Sequence, residues 1–405
     1  MRLARTPALA RSLGSHRAAP PRCRAARRSP WCLLSLALLA LTTAARAADL
    51  EFGPVHEVLG VPAEAVDLAL ADLDADGDLD LVAMTDDAAR LWWYENVDGQ
   101  GQLVQAALIG EEAPLSHGYS VAVADVDGDA DTDVLGSMTV QYSWYENRTQ
   151  ASAVFSPKLP LEEHVNFHCF AMCPADLDGD GDIDLAYGTT VAVGWYPNLD
   201  GQGRFGPPHE VAAGLYYNHS VQAADLDIDG DLDLLVGSWN DNTVSWFENT
   251  GLGRFGPQQP LVTDATRVRC VLAANLDGDV DLDLVWAEQL TGRVRWLENR
   301  NGLVWSTEPE VIGQGLAGVR SLVAVDLDMD FDLDLLAASE DDDSVSWFEN
   351  LDGRGRFSER RVLLDNAAGA AVIRAGDLDG DGDPDVILGA PGDGRILWLE
   401  NTLLP

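Results

Sequence analysis

The sequence predicts an all-β fold, a seven-bladed β-propeller of four-stranded blades. Three observations predict it: an acidic element repeated seven times, a tryptophan element in step with it, and four strand-like runs in each repeat. The acidic element places Asp at alternate positions over nine residues. It begins at Asp72, Asp125, Asp176, Asp225, Asn275, Asp326 and Asp377, at intervals of 53, 51, 49, 50, 51 and 51 residues. The second element reads Trp, aromatic or Leu, Glu, Asn, as in Trp93-Tyr94-Glu95-Asn96 and Trp246-Phe247-Glu248-Asn249. Its third copy, Trp195-Tyr196-Pro197-Asn198, departs only at Pro197.

The fourth repeat illustrates the strand pattern. One run enters the acidic loop (Val221–Ala224), one leaves it (Asp233–Gly237), one ends in the tryptophan element (Thr243–Glu248), and one follows a Gly-rich turn (Arg254–Val262). Leu234-Leu235-Val236 is apolar on both faces, as expected of a strand whose blade is packed between two others. Seven of the twelve Trp fall on the repeated element and are expected in the inter-blade core. The last repeat stops after its tryptophan strand. The missing outer strand is found at the other end, where Leu50–Val58 (LEFGPVHEV) matches Gly203–Val211 (GRFGPPHEV). Residues 50–59 are therefore expected to complete the seventh blade, closing the ring and covering an edge.

Residues 1–47 differ from everything after them. They carry nine Arg and no acidic residue, then an apolar run, Leu33–Leu41, and a small-residue site at Ala45-Arg46-Ala47. This reads as a signal peptide with a long basic lead, and residues 48–405 as the propeller of a secreted, periplasmic or extracellular protein. The apolar run is short for a membrane span, and no membrane insertion is expected. The whole chain has a formal charge of −41. Without those nine Arg, 17 basic residues face 67 acidic ones, a charge of −50 that makes nucleic acid a poor partner. Cys169, Cys173 and Cys270 remain, read as free thiols rather than a disulfide framework.

Alternating Asp residues on a tight turn aim several oxygens at one centre, which suits calcium. Magnesium keeps its waters, and zinc would want the His or Cys that these loops lack. The candidate ligands are Asp72, Asp74, Asp76, Asp78 and Asp80 in the first loop and Asp125, Asp127, Asp129, Asp131 and Asp133 in the second. The third has Asp176, Asp178, Asp180 and Asp184 through side chains and Asp182 through its carbonyl; the fourth has Asp225, Asp227, Asp229, Asp231 and Asp233. The fifth has Asn275, Asp277, Asp279, Asp281 and Asp283, the sixth Asp326, Asp328, Asp330, Asp332 and Asp334, and the seventh Asp377, Asp379, Asp381, Asp383 and Asp385. Two carboxylates roughly 5 Å apart repel by about 3 kcal/mol at an effective dielectric near 20, a conflict that a cation removes. Up to seven structural calcium ions are expected. Position six is Gly in loops one, three, four and seven, but Ala130, Val280 and Phe331 in loops two, five and six, which are expected to bind more weakly or follow another path. Loop six is the weakest candidate, since Met329 also replaces Gly at position four.

On these elements, residues 50–405 resemble the FG-GAP/VCBS repeat family, whose calcium loops are shared with the integrin α-subunit propeller. The resemblance implies seven blades with calcium between the first two strands of each. It implies no single activity, since the family includes adhesion modules, lectins and propellers of polysaccharide-degrading enzymes.

The candidate ligand residues lie elsewhere. His117, His168 and His219 recur at intervals of 51 residues just before the strands that enter loops two to four, near Tyr119 and Tyr217, and repeats five and six offer Arg267, Arg269 and Arg320 there. Such positions flank a propeller's channel mouth and would suit an anionic or sugar ligand. The favoured reading is a binding module, expected to be monomeric, for an extracellular protein or glycan. The alternative is a lyase-like, polysaccharide-active enzyme using a His or Tyr base beside Arg at the channel mouth. No other catalytic pattern is found in the sequence.

Overall fold

In a computed structural model, the strand that leaves each acidic loop is buried along its whole length: Asp80–Thr85, Asp133–Met138, Asp184–Thr189, Asp233–Ser238, Asp283–Glu288, Asp334–Ser339 and Asp385–Ala390. The structure describes residues 52–403 apart from 61–63, 112–115, 140, 149–152, 162–167 and 303. The expected signal peptide, residues 1–47, lies outside them. No helix among the described residues is long and apolar enough to cross a membrane.

Each buried strand is the second of a four-stranded antiparallel blade, and there are seven such blades. In blade four the order is Asn218–Ala224, Asp233–Ser238, Thr243–Phe247 and Gln259–Val262. The fourth strand is shorter than the Arg254–Val262 run suggested. Phe255 makes one bridge to Asn249, Gly256 N–H donates to Glu248 O at 2.7 Å, and pairing lapses at Pro257-Gln258, where proline has no N–H to donate, before it resumes at Gln259. The first strands of successive blades touch one another, and that of blade seven, Val372–Gly376, touches that of blade one, Ala65–Ala71. The ring is closed.

Blade seven takes its outer strand from the N-terminal side, as expected: Phe52–Val58 pairs antiparallel with Arg395–Asn401. The matched segments are equivalent in detail. His56 is opposite Trp398 and stacks on it at 4.3 Å, while His209 is opposite Trp195 with its ring edge-on at 4.9 Å.

The core lies between blades. One cluster joins Val82 and Trp93 of blade one to Val134 and Tyr145 of blade two; another joins Ile387 and Trp398 of blade seven to Leu81 and Tyr94 of blade one. All seven repeated Trp are buried, as expected. Several are capped by the Gly-rich turn of the following blade: a side chain at Gly203 would overlap the Trp144 ring, and one at Gly253 the Trp195 ring.

Neighbouring blades are also latched by a hydrogen bond repeated at all seven seams. The amide of the Asn that ends each tryptophan element donates to the second residue of the preceding blade's acidic loop. The distances are 2.8 Å for Asn147 Nδ2 to Leu73 O, 2.8 Å for Asn249 to Leu177 O and 2.9 Å for Asn401 to Leu327 O. The circle is completed by Asn96 to Leu378 O at 2.8 Å.

Candidate functional site

Two sets of side chains carry chemistry, and the strand order puts them at opposite ends of the ring. Each first strand runs from the mouth of the central channel to an acidic loop, so His219 near its start and Asp225 just past its end are separated by the strand's length.

In the acidic loops, position one is the frame. Asp225 accepts from the backbone N–H of Asp229 and Gly230, both at 3.1 Å, and Asp125 and Asp72 accept likewise from Asp129 and Ala130 and from Asp76 and Gly77. Position nine is buried and ties the loop to the tryptophan element: Asp233 accepts from Asn249 N at 2.7 Å and Leu226 N at 3.1 Å. Burial pushes Asp80 up to about 6, Asp133, Asp184, Asp233, Asp283 and Asp385 up to about 7, and Asp334 up to about 8. Position three is unanswered in five loops, and Oδ1 of Asp131 and Asp281, at position seven, is unanswered as well. Oδ1 of Asp74, Asp127, Asp178, Asp227 and Asp328 is buried without a hydrogen-bond partner. Burial first, then the neighbouring Asp, raises the pKa of each. Carboxylate oxygens of Asp72, Asp74 and Asp76 lie within 4.8 Å of one another, as do those of Asp125, Asp127 and Asp133, of Asp176, Asp178 and Asp184, of Asp225, Asp227 and Asp229, and of Asp326, Asp328 and Asp330. Converging carboxylates whose position-three Oδ1 has no proton donor to satisfy it fit a hard cation.

The three loops without glycine at position six do not behave alike. Ala130 and Phe331 adopt the left-handed conformation themselves, with φ of 73° and 77°, and their N–H groups reach Asp125 and Asp326 as the glycine N–H does elsewhere. Position four is left-handed too, including Met329 at 58° and Ile228 at 63°, a requirement the sequence reading noticed in loop six but not at Ile228. A different path appears in loop five alone. Val280 is not left-handed, and Asn275 instead donates from its own amide to Asp279 O at 2.6 Å. Loop six thus keeps the common path despite two unfavourable residues.

At the other end, the channel is lined by first strands of all seven blades and encloses about 280 Å³. Its mouth widens into a second cavity of about 560 Å³ that includes Glu64, Asp86, His117, Tyr119, His168 and Arg320. Four of the candidate ligand residues, His117, Tyr119, His168 and Arg320, therefore meet at the mouth, and His219 and Arg269 line the channel below. Tyr119 Oη lies 2.7 Å from His168 Nδ1, and His117 Nδ1 lies 2.8 Å from Asp86 Oδ1. Tyr217 and Arg267 stand outside both cavities. Tyr217 stacks on Phe170 at 5.6 Å, and Arg267 lies 4.6 Å over Trp239.

The rings of Tyr119, His168, Phe170, Tyr217, His219 and Trp239 form one continuous aromatic surface across blades two to four. Phe170 and Trp239 were not anticipated. The available signal was that Trp239 is a tryptophan out of register with the repeated element. Arg374 and Asp67, which line the channel, were not among the candidates either, whereas Arg269 was read there from its place in repeat five. Cys169, Cys173 and Cys270 are free, as expected; burial pushes the Cys169 thiol up to about 12.

The fold has known counterparts at low identity. An Agrocybe aegerita lectin that specifically recognises non-reducing terminal N-acetylglucosamine is 17% identical, with 85% of this chain and 87% of that one covered at a TM-score of 0.56. BBS1N in complex with ARL6DN, in a crystal soaked with lead, is 14% identical, with 88% and 97% covered at a TM-score of 0.58. No curated protein sequence matches. The FG-GAP-like repeat model matches residues 72–136, 176–236, 229–286, 275–337 and 326–388, which together are more than half of the chain, and the protein belongs to this repeat family.

Proposed function

We propose that this is a secreted, calcium-stabilised β-propeller that binds an extracellular glycan or protein at its channel mouth. The observation that carries the reading is the aromatic surface of Tyr119, Phe170, Tyr217 and Trp239 beside Arg267 and Arg320, built on the one part of the ring that does not repeat. Aromatic faces flanked by hydrogen-bonding side chains suit sugar rings and peptide side chains alike. The structural neighbours support a binding role in general, one being a lectin and the other a propeller in a protein complex. The calcium reading rests on the unanswered position-three oxygens and has a structural role, since the loops lie a strand's length from the mouth.

The lyase-like alternative is weaker. It needs a base, and burial holds the Tyr119 hydroxyl up at about 12, which favours donating a hydrogen bond over taking a proton. Screening the calcium-loaded protein on a glycan array, with His168→Ala and Tyr217→Ala alongside, tests the site. Loss of binding in either variant is expected; identical profiles would remove the mouth as the site.

A further inference from the structure

Three arginines line the channel, and two are answered by carboxylates. Arg374 Nη2 lies 2.5 Å from Asp67 Oδ1, and Arg320 Nη1 lies 3.1 Å from Glu340 Oε1. Among the described residues Arg269 has no carboxylate within ion-pair distance. Its Nη1 donates to the ring of His219, 3.2 Å from either nitrogen, and its side chain is part of the cavity lining. Burial, then Arg269 and Arg320, hold His219 well below the usual imidazole range, so it is neutral and accepts this bond without supplying charge. Burial and Arg320 lower Arg269 to about 9, which leaves it protonated at neutral pH. A chain with a charge of −41 therefore holds, in a cavity of its own ring, a cation whose fork is paired directly with no described carboxylate, Glu340 acting on it only at longer range. Such a charge is costly unless something pairs with it.

We propose that the channel binds an oxyanion, a carboxylate or sulfate, through the Arg269 fork with Arg320 alongside. The ligand of the mouth is then an acidic glycan, a step that rests on the reading above. The planar, multidentate guanidinium matches either group. A cavity of about 280 Å³ is at the small end of ligand sites, suited to a substituent or a single ring. It shares Val66, Gly118, Tyr119 and Arg320 with the mouth, so a ligand anchored at Arg269 continues outward over Tyr119 and Phe170.

The test titrates the calcium-loaded full chain with sodium sulfate, sodium glucuronate and glucose at constant ionic strength, followed by melting temperature and calorimetry. Both anions are expected to raise the melting temperature saturably and glucose to leave it unmoved. Arg269→Gln is expected to weaken anion binding at least tenfold while melting at the same temperature as the parent or higher, because an unanswered charge has gone. Should that variant not melt cooperatively, Arg269→Lys, which keeps charge but loses the fork, is expected to bind more weakly in the same way. The absence of a saturable anion effect in the parent overturns the proposal, as does parental affinity in a folded Arg269 variant. If the anions bind but an oligoglucuronate binds no tighter than glucuronate, the anion site stands and the glycan reading falls.

Discussion

The two ends of the ring obey different rules. At the acidic end, the same nine-residue loop, the same buried position-nine carboxylate and the same Asn latch recur blade after blade, so that Asp80, Asp233 and Asp385 have interchangeable surroundings. At the mouth no two blades agree: His117 faces Asp86, Tyr119 faces His168, His219 faces Arg269 and Arg320 faces Glu340. A feature needed by every blade is repeated, because each seam must be stabilised separately. A feature needed once, by a ligand that touches several blades together, is free to differ. Repetition here marks what holds the fold, and its failure marks where binding is sought.

The comparison is broken most directly by removing metal. At free calcium tenfold above the dissociation constant, each loop contributes about 1.4 kcal/mol, so seven give on the order of 10 kcal/mol. Chelation is expected to lower the melting temperature by about 10–15 °C. A shift of only a few degrees in a fluorescence melt would show that the acidic end is not what stabilises the ring. The latch comes next. Asn249→Ala leaves Leu177 O and Leu232 O without their donor, and is expected to cost about 2–3 kcal/mol in urea unfolding. A loss below about 0.5 kcal/mol would leave the seams to hydrophobic packing alone. The smallest effect separates two loops that lack the same glycine. Phe331→Gly removes a left-handed, exposed side chain and is expected to stabilise by about 1 kcal/mol. Val280→Gly relieves no such strain and is expected to destabilise by about 0.5–1 kcal/mol. Equal signs in a pair of thermal melts would mean that loop five follows the common path after all.

Most of the repeated end was legible because its signals are local. The alternation of Asp, the Trp-Glu-Asn element and the duplicated FGP-containing segment are each readable within ten residues, and they fixed blade number and ring closure. The latch was not, although its Asn is conspicuous in every repeat, because its acceptor is 72 to 74 residues earlier, and for Asn96 it is 282 residues later. Position nine was read only as a metal ligand. Its second task, holding the Asn backbone, depends on a partner 14 or 16 residues away that only the fold brings near. The mouth was half legible. His117, Tyr119, His168 and Arg320 were found from their place before the first strands, whereas the Arg269 environment depends on which blades face each other across the channel.

The strand Phe52–Val58 has a kinetic meaning as well. It meets Arg395–Asn401 across some 340 residues of chain, so the seventh blade cannot be finished until nearly all the rest is in place. Loop-closure entropy rises only slowly with length, but contacts this distant in sequence are characteristic of slow folders. Until then, Trp398 lacks the His56 ring that stacks on it, and its indole is open to water on that side. The clasp thus carries its own optical reporter: the last change in tryptophan emission during refolding should time the moment at which an open row of blades becomes a circle.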